Sequence, residues 1–151
     1  MSGKREDVIR ELKKAYWMEM ETIQNYLANS VNLNGVRAEE IKKALAADIP
    51  VELTHAQTLA KRVRVLGGVI DGSMTFKAEQ NFLQPPKDAT DVAAVIRGVI
   101  TAEDSAIAQY RKIIQLCEGD DYATQDVCVG LLADEEDHRR EFIGFLTEYE
   151  K

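Results

Sequence analysis

Residues 134–138 read Asp134-Glu135-Glu136-Asp137-His138, and residues 52–55 read Glu52-Leu53-Thr54-His55. His55 and His138 are the only histidines in the chain, and each stands three residues after a glutamate. A further glutamate lies at a matching distance upstream: Glu19 is 33 residues before Glu52, and Glu103 is 32 before Glu135. The chain therefore carries one pattern twice, Glu … Glu-x-x-His. On a helix, positions i and i+3 share a face, so each Glu-x-x-His pair can grip one ion. Four carboxylates and two imidazoles form a ligand set that suits a pair of transition-metal ions.

Working outward, the chain reads as four long amphipathic helices. The first spans about residues 5–31, with Val8, Leu12, Ala15, Thr22, Ile23, Tyr26 and Leu27 at helical spacing. Residues 32–35 end it, and the second runs from about 38 to 66, stopped by Gly67-Gly68. Pro50 interrupts that helix and predicts a kink just before Glu52. A long connection follows over about 69–90, with Gly72, Pro85 and Pro86. The third helix spans about 91–117, residues 118–121 make a turn, and the fourth spans about 123–148. No stretch alternates like a strand. The expectation is an all-α four-helix bundle with a long connection between helices 2 and 3, in a single domain over residues 1–151.

The turns test the ligands. The midpoint between Glu19 and Glu52 falls between Gly35 and Val36, and that between Glu103 and Glu135 falls on Gly119. Both midpoints land in predicted turns, so in antiparallel pairs Glu19 stands level with Glu52, and Glu103 with Glu135. Each arm is then roughly 24 Å long at 1.5 Å per residue, which puts the ligands near mid-height in the bundle. Tyr26 follows Glu19 by seven residues and Tyr110 follows Glu103 by seven. Seven residues is about two turns, so each tyrosine is expected above its own glutamate in the core. Tyr26 joins the candidate site as a hydroxyl just outside the ligands or as an electron donor.

One Glu-x-x-His says little, because helices are rich in glutamate. Here both histidines have it, and both stripes are otherwise apolar: Val51, Leu59 and Val63 around His55, and Leu131, Leu132 and Phe142 around His138. Inward polar groups left unpaired would cost roughly 2–7 kcal/mol each, and bound metal removes that cost. Carboxylate-rich ligands suit iron or manganese better than structural zinc. Cys117 and Cys128 make no Cys-x-x-Cys and stand about 10 Å apart in height, so they read as packing residues rather than a disulfide.

The 151 residues carry a net charge of -7, which disfavours nucleic-acid binding and suits a protein that attracts cations. Lys4-Arg5 is followed at once by Glu6-Asp7, too little for a phosphate-binding arm. No apolar run reaches the length of a membrane span, and the N-terminus has no apolar stretch typical of a signal peptide. A cytoplasmic location is expected.

The residues resemble the ferritin-like superfamily, and bacterioferritins more closely. The resemblance lies in Glu19-Met-Glu-Thr-Ile-Gln-Asn-Tyr26, in Glu52-Leu-Thr-His55-Ala with the later Leu-Gly-Gly68, and in Asp134-Glu-Glu-Asp-His138. It implies a di-iron ferroxidase centre of Glu19, Glu52, His55, Glu103, Glu135 and His138 within one subunit, with Glu52 and Glu135 bridging. It also implies oxidation of Fe(II) by dioxygen or hydrogen peroxide and storage of ferric iron in a homo-oligomeric shell. Bacterioferritins bind haem through a methionine after the second-helix glutamate; here that residue is Leu53, so haem is not expected. The chain ends at Lys151 without the short fifth helix usual in 24-subunit ferritins. With its long connection it resembles the starvation-protection (Dps) proteins, and a shell of twelve subunits is expected ahead of one of twenty-four. Dps sites usually draw histidines from the first helix, which has none here. The description that fits is a Dps-like ferritin with a bacterioferritin-type site. The alternatives are a small di-iron oxidase or peroxidase without storage, and a Dps-like nucleoid-protecting protein.

Overall fold

The computed structural model describes residues 3–150. Among them four long helices form and no strand: α1 Gly3–Asn32, α2 Glu39–Val65, α3 Val92–Cys117 and α4 Tyr122–Tyr149. The predicted helix ends lie within one or two residues of these. Short 3-10 turns at Val36–Ala38, Ser73–Thr75 and Asn81–Leu83 fall in the connecting segments. The expected four-helix bundle is the observed architecture. The start of α3 is capped by Asp91, whose carboxylate accepts from the Ala94 N–H, and that of α4 by Asp121, which accepts from the Thr124 N–H. Both caps satisfy donors that a helix start leaves without intrahelical partners. The two tight turns pivot on Gly35 and Gly119, both at positive φ, at the midpoints the ligand spacing marks.

Two expectations need correction. Pro50 does not interrupt α2, which is one continuous helix over Glu39–Val65. The carbonyl that loses its intrahelical partner is that of Ala46, on an exposed stretch where water can serve it. Leu27 does not face the core and is 54% exposed. The inward positions of α1 near that level are Thr22, Asn25, Tyr26 and Asn29, and Leu27 sits about 100° round the helix from Tyr26.

The long connection explains how α3 comes to lie against α1. It leaves the end of α2 beside the start of α1, where Lys13 pairs with Asp71 at 2.7 Å. It then follows α1. The Glu79 and Gln80 N–H groups donate to the buried Glu21 carboxylate, the Asn29 amide donates to the Leu83 carbonyl, and the Asn34 N–H donates to the Ala89 carbonyl. The chain has thus traversed the bundle before α3 begins, so α3 runs antiparallel to α1. Helices α1 and α2 pack as one hairpin, and α3 and α4 as another.

The apolar core lies in two parts. One holds Leu12, Leu59, Val63, Ile113 and Leu131; the other holds Ile41, Leu45, Ile96, Val99 and Phe142. Between them lie the buried carboxylates. Cys117 and Cys128 are free, buried, and packed in the first part. Burial pushes their thiols up to about 11 and about 12. No described helix is long and apolar enough to cross a membrane.

Candidate metal centre

Each helix contributes to the polar layer: Glu19 from α1, Glu52 and His55 from α2, Glu103 from α3, Glu135 and His138 from α4. The structure brings all six together. The four glutamates and His55 are buried, and the His138 side chain is 15% exposed. The ligand atoms form two groups, each with its members within 4.8 Å of one another. One is Glu19, Glu52, His55 and Glu135; the other is Glu52, Glu103, Glu135 and His138. Glu52 and Glu135 belong to both.

Both histidines turn Nδ1 inward. His55 Nδ1 lies 2.9 Å from Glu135 Oε1, 3.4 Å from Glu52 Oε2 and 3.8 Å from Glu19 Oε2. His138 Nδ1 lies 3.2 Å from Glu52 Oε1 and 3.7 Å from Glu135 Oε2. The outer nitrogens differ. His55 Nε2 is 2.9 Å from Asp134 Oδ2, whereas His138 Nε2 is 4.0 Å from Asp48 Oδ1.

Crowding negative charge in a buried layer moves the proton affinities. At His55 burial opposes protonation, but the neighbouring Glu135, Glu19 and Glu52 carboxylates outweigh it and raise the pKa. At His138 burial is again outweighed, by Glu135 and Glu52, and the pKa rises to about 10. Burial lifts Glu103 well above the usual carboxylate range, with Glu135 adding to it, and lifts Glu52 with help from Glu19. Burial also acts upward on Glu135, yet the neighbouring Glu103, His138 and His55 side chains bring it below the usual value. Asp48 is pushed up to about 6 by burial.

The donor atoms fit metal ions. Glu19 Oε2, Glu52 Oε1, Glu103 Oε2 and His138 Nδ1 are buried without a hydrogen-bond partner. Buried polar groups are nearly always paired, and an unpaired one is costly. Cations among these atoms would supply the missing partners.

Tyr26 and Tyr110 are each buried on the helix of their own glutamate, but neither hydroxyl bonds that glutamate. Tyr26 donates its hydroxyl to Glu103 Oε1 at 2.8 Å, and Tyr110 donates to Glu19 Oε1 at 2.6 Å. Each phenol reaches across to the other hairpin because α1 and α3 run antiparallel. Asp48 and Asp134 are contacts that reading the inward stripes missed. Asp48, four residues before Glu52, shares its helix face and could have been found. Asp134 lies about 100° from Glu135 round α4, and its contact with His55 depends on how α2 and α4 are packed.

A family model described as Ferritin-like domain matches residues 9–151. Bacterioferritin from Desulfovibrio desulfuricans is 28% identical over 148 residues, covering 91% of this chain and 75% of that protein. A bacterial ferritin from Neisseria meningitidis serogroup B is 35% identical over 89 residues, covering 58% of this chain and 52% of that protein. Among solved structures, a dodecameric thioferritin, the bacterioferritin-related protein from Bacteroides fragilis, superposes with a TM-score of 0.82 at 24% identity. It covers 96% of this chain and 87% of that one. A mutant of Dps1 from Mycobacterium smegmatis gives 0.82 at 17% identity, covering 97% and 99%. Likeness at these identities establishes the shared fold.

Proposed function

The chain belongs to the ferritin-like domain family, and on that premise we propose that it is a ferroxidase that takes two ferrous ions per chain as substrate. Dioxygen or hydrogen peroxide is the oxidant, and the ferric product is stored or held harmless in a homo-oligomeric shell. The observation that carries this reading is the pair of four-residue groups sharing Glu52 and Glu135. Glu19 and His55 would hold one ion, Glu103 and His138 the other, and Glu52 and Glu135 would serve both.

Two ferrous ions bound at these groups would supply two electrons to one oxidant molecule. The protein's residues do the rest. The carboxylates offset the charge of the ions. The imidazoles would bind through Nδ1, which requires that His55 and His138 release the protons their carboxylate neighbours favour. Asp134, about half exposed and 2.9 Å from His55 Nε2, lies where a proton can pass to solvent. Tyr26 holds Glu103 and stands near enough to give up an electron or a proton. The two apolar parts of the core keep bulk water from both sides of the layer. Haem has no part in this reading, because Leu53 offers iron no donor atom and is exposed.

A closed shell of twelve is the favoured assembly. Its support is the fold shared with the dodecameric thioferritin and the apolar side chains left bare on the single chain, Val36 and Met74 among them. The net charge of -7 speaks against nucleoid binding. The test is stopped-flow absorbance after mixing metal-stripped protein with ferrous iron in air, joined to size-exclusion chromatography with light scattering. Ferric absorbance that saturates at two irons per chain, in a particle of twelve chains, is the expected result. Oxidation no faster than in buffer would overturn the ferroxidase. Rapid oxidation by a monomer or dimer would favour a small di-iron oxidase without storage.

A further inference from the structure

Tyr110 is wholly buried on α3, and its hydroxyl donates to Glu19 Oε1 on α1. Tyr26 on α1 makes the reciprocal bond to Glu103 Oε1 on α3. Seven residues up one helix match seven down the other, so both bonds belong to one antiparallel register. In each pair the phenol takes one carboxylate oxygen and leaves the second, Oε2, buried and unpartnered. Glu19 Oε2 lies in the layer, 3.8 Å from His55 Nδ1. A tyrosine that only needed a polar partner for its own hydroxyl would not account for this division of both carboxylates. The bond is also short, as charge-assisted O–H···O bonds are.

Resting on the metal reading above, we propose that Tyr110 is a positioning residue. It pins Glu19 Oε1 so that Oε2 alone is offered to an ion, and so ties the Glu19–His55 position to the opposite hairpin. Tyr26 does the same for the Glu103–His138 position. Each ion position is therefore built by one hairpin and fixed by the other. Without the hydroxyl, Glu19 is free to rotate and its first oxygen must find another partner. The loss falls on one position and spares the other.

The experiment is an anaerobic Co(II) titration of the full chain followed by visible absorption. Wild-type protein is expected to take up two Co(II) per chain. In Tyr110→Phe one Co(II) binds as before, and the other binds about tenfold more weakly with a shifted absorption band. Tyr26→Phe weakens the complementary step. Adding Tyr110→Phe to Glu19→Ala changes nothing further, because the group being positioned is gone. Removing both members also leaves no unpaired oxygen, so this double variant keeps the comparison open even where Tyr110→Phe alone unfolds. A Tyr110→Phe titration identical to wild type would overturn the inference alone. So would equal weakening of both steps, or an undiminished effect in the Glu19→Ala background. Wild-type protein that takes up no cobalt would overturn the metal reading and this inference with it.

Discussion

The α1–α2 hairpin and the α3–α4 hairpin present the same candidate ligands at the same heights, yet they are supported differently. His55 is 3% exposed and its outer nitrogen is held at 2.9 Å by Asp134. His138 is 15% exposed and its outer nitrogen stands 4.0 Å from Asp48. Asp134 immediately precedes a candidate ligand in α4, whereas Asp48 lies a helical turn before one in α2. The outer faces diverge further. Five residues before each leading glutamate stand Lys14 in α1, exposed to solvent, and Gly98 in α3, buried under the connection. The twofold pattern is thus kept where an ion would need it and lost where only neighbouring chain is met. In the candidate ligand layer the chemistry of metal binding would constrain residue type, while the surroundings follow from where the connection runs.

The largest effect should come from the shared residues. Glu52→Ala and Glu135→Ala are each expected to slow rapid ferrous oxidation at least about a hundredfold in stopped flow, since each removes a group common to both positions. Helicity by circular dichroism should persist, because both apolar parts of the core remain. If only one of the two variants loses activity, the hairpins are not equivalent at the metal layer and the comparison breaks there.

The outer faces should separate next. A Cβ added at Gly98 would lie 2.4 Å from the Phe82 carbonyl oxygen. Gly98→Ala must therefore push the Asn81–Leu83 turn away from α3, at a cost of about 1–3 kcal/mol. Lys14→Ala, at the corresponding exposed position, should stay within about 0.5 kcal/mol. Denaturant unfolding of the two variants measures the difference, and equal costs would remove the distinction between the faces.

How much of this was legible in the sequence depends on the range of the interaction. Helix spans and the candidate ligand set follow from local periodicity and from spacing about the turns, and the midpoints fall beside Gly35 and on Gly119, the glycines that make those turns. Tyr26 and Tyr110 were visible as a repeat, but their crossed bonds depend on α3 running antiparallel to α1. That direction is set by the path of residues 66–91, whose bonds to Glu21, Asn29 and Asn34 have no periodic signature. Leu27 is apolar, but its angle round the helix turns it to solvent. Pro50 does not end α2, because the one hydrogen bond it removes lies on an exposed stretch where water can replace it.

The smallest expected effect sharpens the contrast between the two histidines. Asp134→Asn should weaken metal binding about tenfold, as loss of a carboxylate that orients a ligand histidine commonly does. Asp48→Asn, at 4.0 Å from its histidine, should weaken it by less than about threefold on the same grounds. Anaerobic Co(II) titration reads both, and equal losses would mean that the two outer contacts do the same work.

The most direct test of the account is anomalous diffraction at the iron edge from crystals soaked with ferrous iron under anaerobic conditions. Two peaks per chain are predicted, one among Glu19, Glu52, His55 and Glu135 and one among Glu52, Glu103, Glu135 and His138. A single peak, or peaks confined to surface carboxylates, would contradict it.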